Sequence, residues 1–298
     1  MNQQSLKYTS YGILAILLWS TTVAFSRNLA EKLGTLTSAM FIYLLAGLLA
    51  CLYSILIKSD FKRMLSLPLN YLLACGSLFG IYILSLYLAI GMASTRPQVI
   101  IIGLINYLWP ALSLVFSIPI LKNQARSFLP IGVLLAMTGI WLGYRGSNSH
   151  LDIFSNGLST IPYLLALIAA ICWGLYSNLS RLWNSTNEIG GVPLFLLWSG
   201  LLLGTCRLFV SETTHWSPEG VLEIIYMASF PAMIAYILWD VAVRKGNLIL
   251  VASFSYITPL LSTLISTIVL GLPITTSFWM AALFVIAGAA ICKVAVLE

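Results

Sequence analysis

The chain has very little charge. Only 8% of its 298 residues are Asp, Glu, Lys or Arg, against about 25% in a typical soluble domain. With 60% hydrophobic residues and a mean hydropathy of +0.97, a globule with a solvated surface is excluded, and the bilayer must be the solvent. The net charge of +6 does not point to nucleic acid, because the basic residues are scattered between apolar segments, as topology determinants are. Histidine is scarce: His150 and His215 both fall in predicted loops. The five cysteines (Cys51, Cys75, Cys172, Cys206, Cys292) form no CxxC and all lie inside apolar segments, which suits small packing residues. There is no HExxH, no GxSxG, no P-loop and no His/Cys/acid cluster with metal spacing. Neither an enzyme nor a cofactor, a metal or an ATP-driven engine is therefore expected. The amino terminus is too short and too weakly basic for a cleaved signal peptide, so the first apolar segment should persist as a helix. The longest polar stretch is about 145–160, which leaves no room for a soluble domain.

Long apolar runs are what the chain does contain. A span needs roughly 20 apolar residues, and candidates fall at 8–26, 36–57, 69–91, 97–121, 128–144, 162–182, 192–210, 221–243, 247–270 and 275–296. The expected fold class is all-α integral membrane, with ten transmembrane helices. With the amino terminus in the cytoplasm, Lys7, Lys58, Lys62, Arg63, Lys122, Arg126, Arg181, Arg244, Lys245 and Lys293 lie inside, and Arg27, Lys32, Arg96, Arg145 and Arg207 outside. That bias places both termini in the cytoplasm.

The halves repeat. GILAILLWSTTVAFSR (Gly12–Arg27) aligns with ALIAAICWGLYSNLSR (Ala166–Arg181), Trp19 on Trp173 and Arg27 on Arg181. Tyr87–Pro110 aligns without a gap on Tyr236–Pro259. The expected halves are 1–147 and 158–298. Each holds five helices, an odd number, so the second enters the membrane the other way up. An inverted repeat points to alternating access around a site near the midplane.

The stretch IIGLINYLWPAL (Ile101–Leu112) is the least generic, and VASFSYITPLL (Val251–Leu261) echoes it. Pro110 and Pro259 cannot donate a helical hydrogen bond. A membrane helix accepts that defect only where the freed carbonyl finds a partner or faces a cavity. Gly103, Asn106, Pro110 and Ser113 share one helical stripe, with Trp109 at its edge. Such stripes serve either close helix packing or a cavity wall, and Asn106 favours the cavity because an amide facing lipid is costly. Trp19, Tyr82, Trp109 and Trp173 lie well inside their segments. Asp240 is the sole acid in a predicted span and stands four residues before Arg244, the spacing of a helix-end ion pair. Proton-driven pumps carry an intramembrane acid or His relay, so facilitated movement or exchange is expected here.

Gly80–Ser94, Leu104–Pro110 and Ala170–Arg181, with the repeated Trp and Pro positions, resemble the drug/metabolite transporter superfamily in its EamA-type branch. The resemblance covers essentially the whole chain. It implies a ten-helix basket with a central cavity lined mainly by helices 1, 3, 4, 6, 8 and 9. It also implies export of amino acids from the bacterial cytoplasm across the inner membrane, by a protein expected to be a monomer. The candidate substrate-binding residues are Trp19, Tyr82, Asn106, Trp109, Pro110, Trp173, Tyr176, Ser253 and Tyr256, with Pro110 and Pro259 as hinges. An exporter of another neutral metabolite or drug on this fold, and a non-transporting receptor or structural subunit, are the alternatives.

Overall fold

Inside a bilayer every backbone N–H and C=O must be satisfied within the chain, which leaves helices for apolar runs of this length. The computed structural model describes residues 3–56, 61–146, 160–184, 189–246, 251, 254–255, 257–272 and 275–297, and these are almost entirely helical. The helices are α1 (Gln3–Trp19), α2 (Thr22–Leu33), α3 (Thr35–Leu56), α4 (Phe61–Leu65), α5 (Gly76–Gly91), α6 (Arg96–Asn106) and α7 (Trp109–Leu121). They continue with α8 (Leu129–Gly146), α9 (Ile161–Asn184), α10 (Val192–Arg207), α11 (Pro218–Met227), α12 (Ala235–Lys245), α13 (Thr258–Val269) and α14 (Thr276–Ala295). A two-residue ladder joins β1 (Gln124–Ala125) to β2 (Val296–Leu297), antiparallel.

Among the described residues, seven helices are long and apolar enough to cross a membrane, and three more, Leu129–Leu142, Val192–Arg207 and Thr258–Val269, are shorter but apolar. Their outer faces are apolar too: Leu48, Leu52 and Leu56 on α3, and Ile131, Leu134 and Met137 on α8, are exposed at helical spacing. α13 is the reverse of a soluble amphipathic helix. It buries Thr258, Ser262, Thr263, Ser266 and Thr267 and exposes Ile268.

Several spans are broken, each for a local reason. Between α1 and α2 the hydroxyls of Ser20 and Thr21 bond back to the carbonyls of Leu17 and Leu18, competing with the helical ladder. Between α11 and α12 a π-helical turn, Ala228–Ile234, contains Pro231. The proline breaks behave alike. At Pro110 the preceding Leu108 N–H bonds the Ile105 carbonyl at 3.0 Å, and at Pro259 the Ile257 N–H bonds the Phe254 carbonyl at 3.1 Å.

The packing is reciprocal between the halves. α3 packs on α10 and α8 on α14, while α1 packs on α12 and α5 on α9. A Cβ on Gly47 would stand 2.5 Å from the Leu197 nitrogen, and one on Gly200 would stand 2.6 Å from the Leu44 nitrogen. Likewise a Cβ on Gly132 would meet the Gly288 carbonyl and the Cys292 nitrogen, and one on Gly288 would meet the Gly132 carbonyl and the Ala136 nitrogen. Steps of 153 residues (44 to 197, 47 to 200) and of 156 (132 to 288, 136 to 292) exchange the members of each crossing.

One end of the bundle is tied by charge. Glu31 accepts from Arg27 at 2.7 Å and Arg96 at 2.7 Å, and Arg96 also donates to the Leu270 carbonyl. Glu223 accepts from Lys32 and Asn28. Glu212, far along the chain, accepts from the Leu36 and Thr37 amides and the Thr37 hydroxyl at 2.8–2.9 Å. It thereby supplies acceptors for amides that no helical carbonyl can reach. Gly34, at φ +86°, leaves room for that carboxylate, which any Cβ there would strike. Replacing Glu212 with Ala is expected to cost about 1–2 kcal/mol, as loss of a helix cap does. Thermal unfolding in detergent checks this, with Glu212→Gln, which keeps one acceptor oxygen, falling between the two.

Candidate functional site

The interior of the bundle is a cluster of rings around a small chamber. Trp19, Thr22, Val23, Tyr82, Leu86, Asn106, Tyr107, Trp109, Trp173, Tyr236 and Thr258 line it. Each arrives there through a local feature of the chain. Trp19 closes α1, and Thr22 opens α2. Asn106 ends α6 and Trp109 begins α7, so both flank the Pro110 break. Thr258 begins α13, beside Pro259. Tyr82, Trp173 and Tyr236 come from α5, α9 and α12.

Trp173 is the hub. Its ring lies 4.8 Å from Tyr82, 5.4 Å from Trp19 edge to face, and 6.4 Å from Trp109. Trp109 meets Trp239 edge to face at 5.0 Å, and Trp19 lies 5.0 Å from Tyr236. Edge-to-face and offset geometries are the ones ring quadrupoles favour. The Trp19 indole donates to the Pro231 carbonyl at 3.0 Å, which ties α1 to the π-helical turn. Asn178 holds α9 to α7: its amide donates to the Ser113 and Gly174 carbonyls at 2.9 Å each.

The polar groups of the chamber are neutral. Asn106 Oδ1, Thr22 Oγ1 and Thr258 Oγ1 are buried and have no hydrogen-bond partner. Three orphan polar atoms around one chamber are unusual, since buried polar groups are nearly always satisfied. Among the described residues, no charged side chain lines the chamber. Among the described residues, no cluster of three or more His, Cys, Asp or Glu could hold a metal ion. The free space is only about 20 Å³, room for a single water, whereas pockets for organic ligands measure about 300–1,000 Å³. The rings fill the chamber, so a substrate of that size requires them to separate.

Of the residues expected from sequence, Trp19, Tyr82, Asn106, Trp109 and Trp173 meet at this chamber. Tyr176 stands behind Trp173 at 5.0 Å and packs on Phe79 and Phe195. Pro110 is buried in the first turn of α7, away from the chamber lining. Ser253 and Tyr256 lie outside the described residues. Sequence reasoning did not select Thr22, Val23, Leu86, Tyr107, Tyr236 or Thr258. Tyr107, Tyr236 and Thr258 could have been found, because each lies in or beside the repeated Tyr-and-Pro pattern. Val23 and Leu86 carried no signal, since an aliphatic residue on the inner face looks like one on any other. The Asp240–Arg244 pair forms as its spacing predicted, at 2.7 Å, and both side chains are buried.

A helical bundle with apolar outer faces and a neutral, ring-lined interior chamber is that of a multi-pass membrane protein handling a small solute. The chain belongs to the EamA-like transporter family, whose pattern matches residues 6–145 and again 160–293, within the drug/metabolite transporter superfamily. It is 34% identical over 293 residues, 97% of each chain, to the aromatic amino acid exporter YddG of Escherichia coli (strain K12). It is 32% identical over 295 residues, 98% of each chain, to the protein of the same name from Salmonella typhimurium (strain 14028s / SGSC 2262). A solved crystal structure shares the fold at TM-score 0.71 and 24% identity, with 96% of each chain covered. The named relatives are transporters, not enzymes.

Proposed function

We propose that this protein exports aromatic and other neutral amino acids across a bacterial inner membrane by alternating access. The observation that carries the reading is the chamber. Its walls are indole and phenol rings, and three of its neutral polar atoms, Asn106 Oδ1 and the Thr22 and Thr258 hydroxyls, have no partner. A zwitterion brings an ammonium donor and a carboxylate acceptor close together. Asn106 Oδ1 can accept from the former, and the Thr22 and Thr258 hydroxyls can donate to the latter. Rings suit an aromatic side chain. The two YddG relatives, exporters of aromatic amino acids by name, support the same substrate class. Among the described residues no carboxylate lines the chamber, which supports facilitated movement or exchange.

We infer further that the ten apolar segments form two inverted five-helix repeats, 1–147 and 158–298, with both termini cytoplasmic and the chain acting as a monomer. The reciprocal glycine crossings and the matched proline breaks support the repeat relation, and the uneven Lys and Arg distribution supports the orientation. Pro110 and Pro259 are the proposed hinges. Ser253 and Tyr256, outside the described residues, are proposed to complete the site.

In reconstituted vesicles, labelled tryptophan should exchange against unlabelled tryptophan, phenylalanine and tyrosine. Asn106→Ala and Trp109→Ala should each slow that exchange by about tenfold, the effect of losing one hydrogen bond to a charged group or one ring pair. An imposed pH gradient alone should drive no accumulation. Parental rates in both variants would sink the site assignment.

A further inference from the structure

A second cavity of about 120 Å³ lies at the far end of α12 from the tied charges. Its walls include Ser54 of α3, Met64 of α4, Gly190, and Ile237, Asp240 and Arg244 of α12. It flanks the same helix as the chamber, because Tyr236, the neighbour of Ile237, lines the chamber. This is the end that the Lys and Arg bias assigns to the cytoplasm.

Asp240 is half used. Its Oδ2 accepts from Arg244 Nε at 3.0 Å and Nη2 at 2.7 Å. Its Oδ1 is buried and has no hydrogen-bond partner. Asp240 is only 4% exposed, so the second oxygen is not served by bulk water. The Ser54 hydroxyl on the cavity wall is spent on the Ala50 carbonyl at 2.9 Å. Gly190 closes over the carboxylate so tightly that any Cβ there would strike Oδ2. An ion pair needed only to neutralise a helix end accounts for Oδ2 and leaves Oδ1 unexplained. A charged side chain within a membrane protein, paired and beside a cavity, marks a solute path as a rule.

We propose that this cavity is a docking subsite for a primary ammonium group, that of the amino acid on its way to the chamber, with Asp240 Oδ1 as its acceptor. The inference rests on the exporter reading for the identity of the solute. A carboxylate oxygen accepts only, so the missing partner is a donor, and an ammonium gives the stronger, charge-assisted bond. Arg244 lines the same cavity, so a group carrying both charges fits it better than a bare inorganic cation. The solute would reach the chamber along α12, from Asp240 towards Tyr236.

Tryptamine, which keeps the ammonium and lacks the carboxylate, is the probe. Its affinity for the purified full-length protein is measured by calorimetry. The neutral pair Asp240→Asn/Arg244→Gln should weaken tryptamine binding at least tenfold. Ser54→Ile narrows the cavity without touching the ion pair and should weaken it likewise, which keeps the test open if the double variant does not fold. Unchanged tryptamine affinity in the folded variants would overturn the subsite. Tryptophan counterflow in parental vesicles reports separately on the exporter reading: its absence with tryptamine binding intact would sink that reading and leave the ammonium subsite standing.

Discussion

Gly288→Leu and Gly132→Leu are each expected to abolish the folded protein in detergent. The two glycines face one another where α8 crosses α14. A Cβ on either would meet the other's carbonyl oxygen and a backbone nitrogen, at 2.5 Å for Ala136 from Gly288 and 2.8 Å for Cys292 from Gly132. Backbone atoms of packed helices cannot swing aside as a side-chain tip can. Overpacking a core costs about 1–3 kcal/mol where side chains give way, and here the helices themselves must part. A small residue at such a crossing lets two helices approach closely, which is how helices associate where lipid removes the hydrophobic drive. Gly204→Ala is the control. Its Cβ would meet only the flexible Met40 side chain at 3.2 Å, so it should fold as the parent does. Size-exclusion profiles and thermal unfolding of the three variants check the contrast.

On the proposed exporter function, Trp173→Ala is expected to remove the preference for aromatic substrates. The ring touches Trp19, Tyr82, Trp109 and Tyr236, all chamber residues. Ring pairs contribute about 0.5–1.5 kcal/mol each beyond area. Losing the ring that a substrate's own indole would stack on should weaken tryptophan handling by about twofold to tenfold. The truncation also leaves a cavity, which costs about 3–5 kcal/mol of stability. Two measurements separate these effects. The ratio of tryptophan to threonine flux should fall in Trp173→Ala, because threonine has no ring to stack. Trp173→Phe should restore both stability and most of the ratio. A Trp173→Ala protein that folds and keeps the parental flux ratio would show that the ring serves packing alone.

The helical class, the segment positions and the two proline breaks were legible because bilayer thickness and backbone chemistry leave few choices. A run of 20 apolar residues and a missing N–H mean the same thing wherever they occur in a membrane chain. The five chamber residues found by sequence are aromatic or amide side chains, which are conspicuous against Leu and Ile. Thr22 and Thr258 escaped because a threonine in an apolar helix usually bonds its own backbone, as Thr21 and Thr267 do. Only three dimensions show that these two have no such partner. The break after Trp19 was also hidden: Ser20 and Thr21 carry no signal as strong as proline, and only their back-bonded hydroxyls reveal it. Nor could spacing separate Tyr176 from Trp173. They share a helix face, but only Trp173 lines the chamber, while Tyr176 packs on Phe195. The Asp240–Arg244 pair was read correctly as a pair, while its unserved oxygen and the cavity beside it depend on chain segments far apart in sequence.

The central claim is that the ring-lined chamber opens in turn to both sides of the membrane. Thr22→Cys, in a chain whose five native cysteines are replaced by Ala, places a single thiol on the chamber wall. A membrane-impermeant maleimide, applied in separate experiments to each face of oriented vesicles, reads its accessibility. Labelling from either face, slowed by tryptophan in both cases, is the predicted result. Labelling from one face only, or labelling that tryptophan does not slow, would contradict the account.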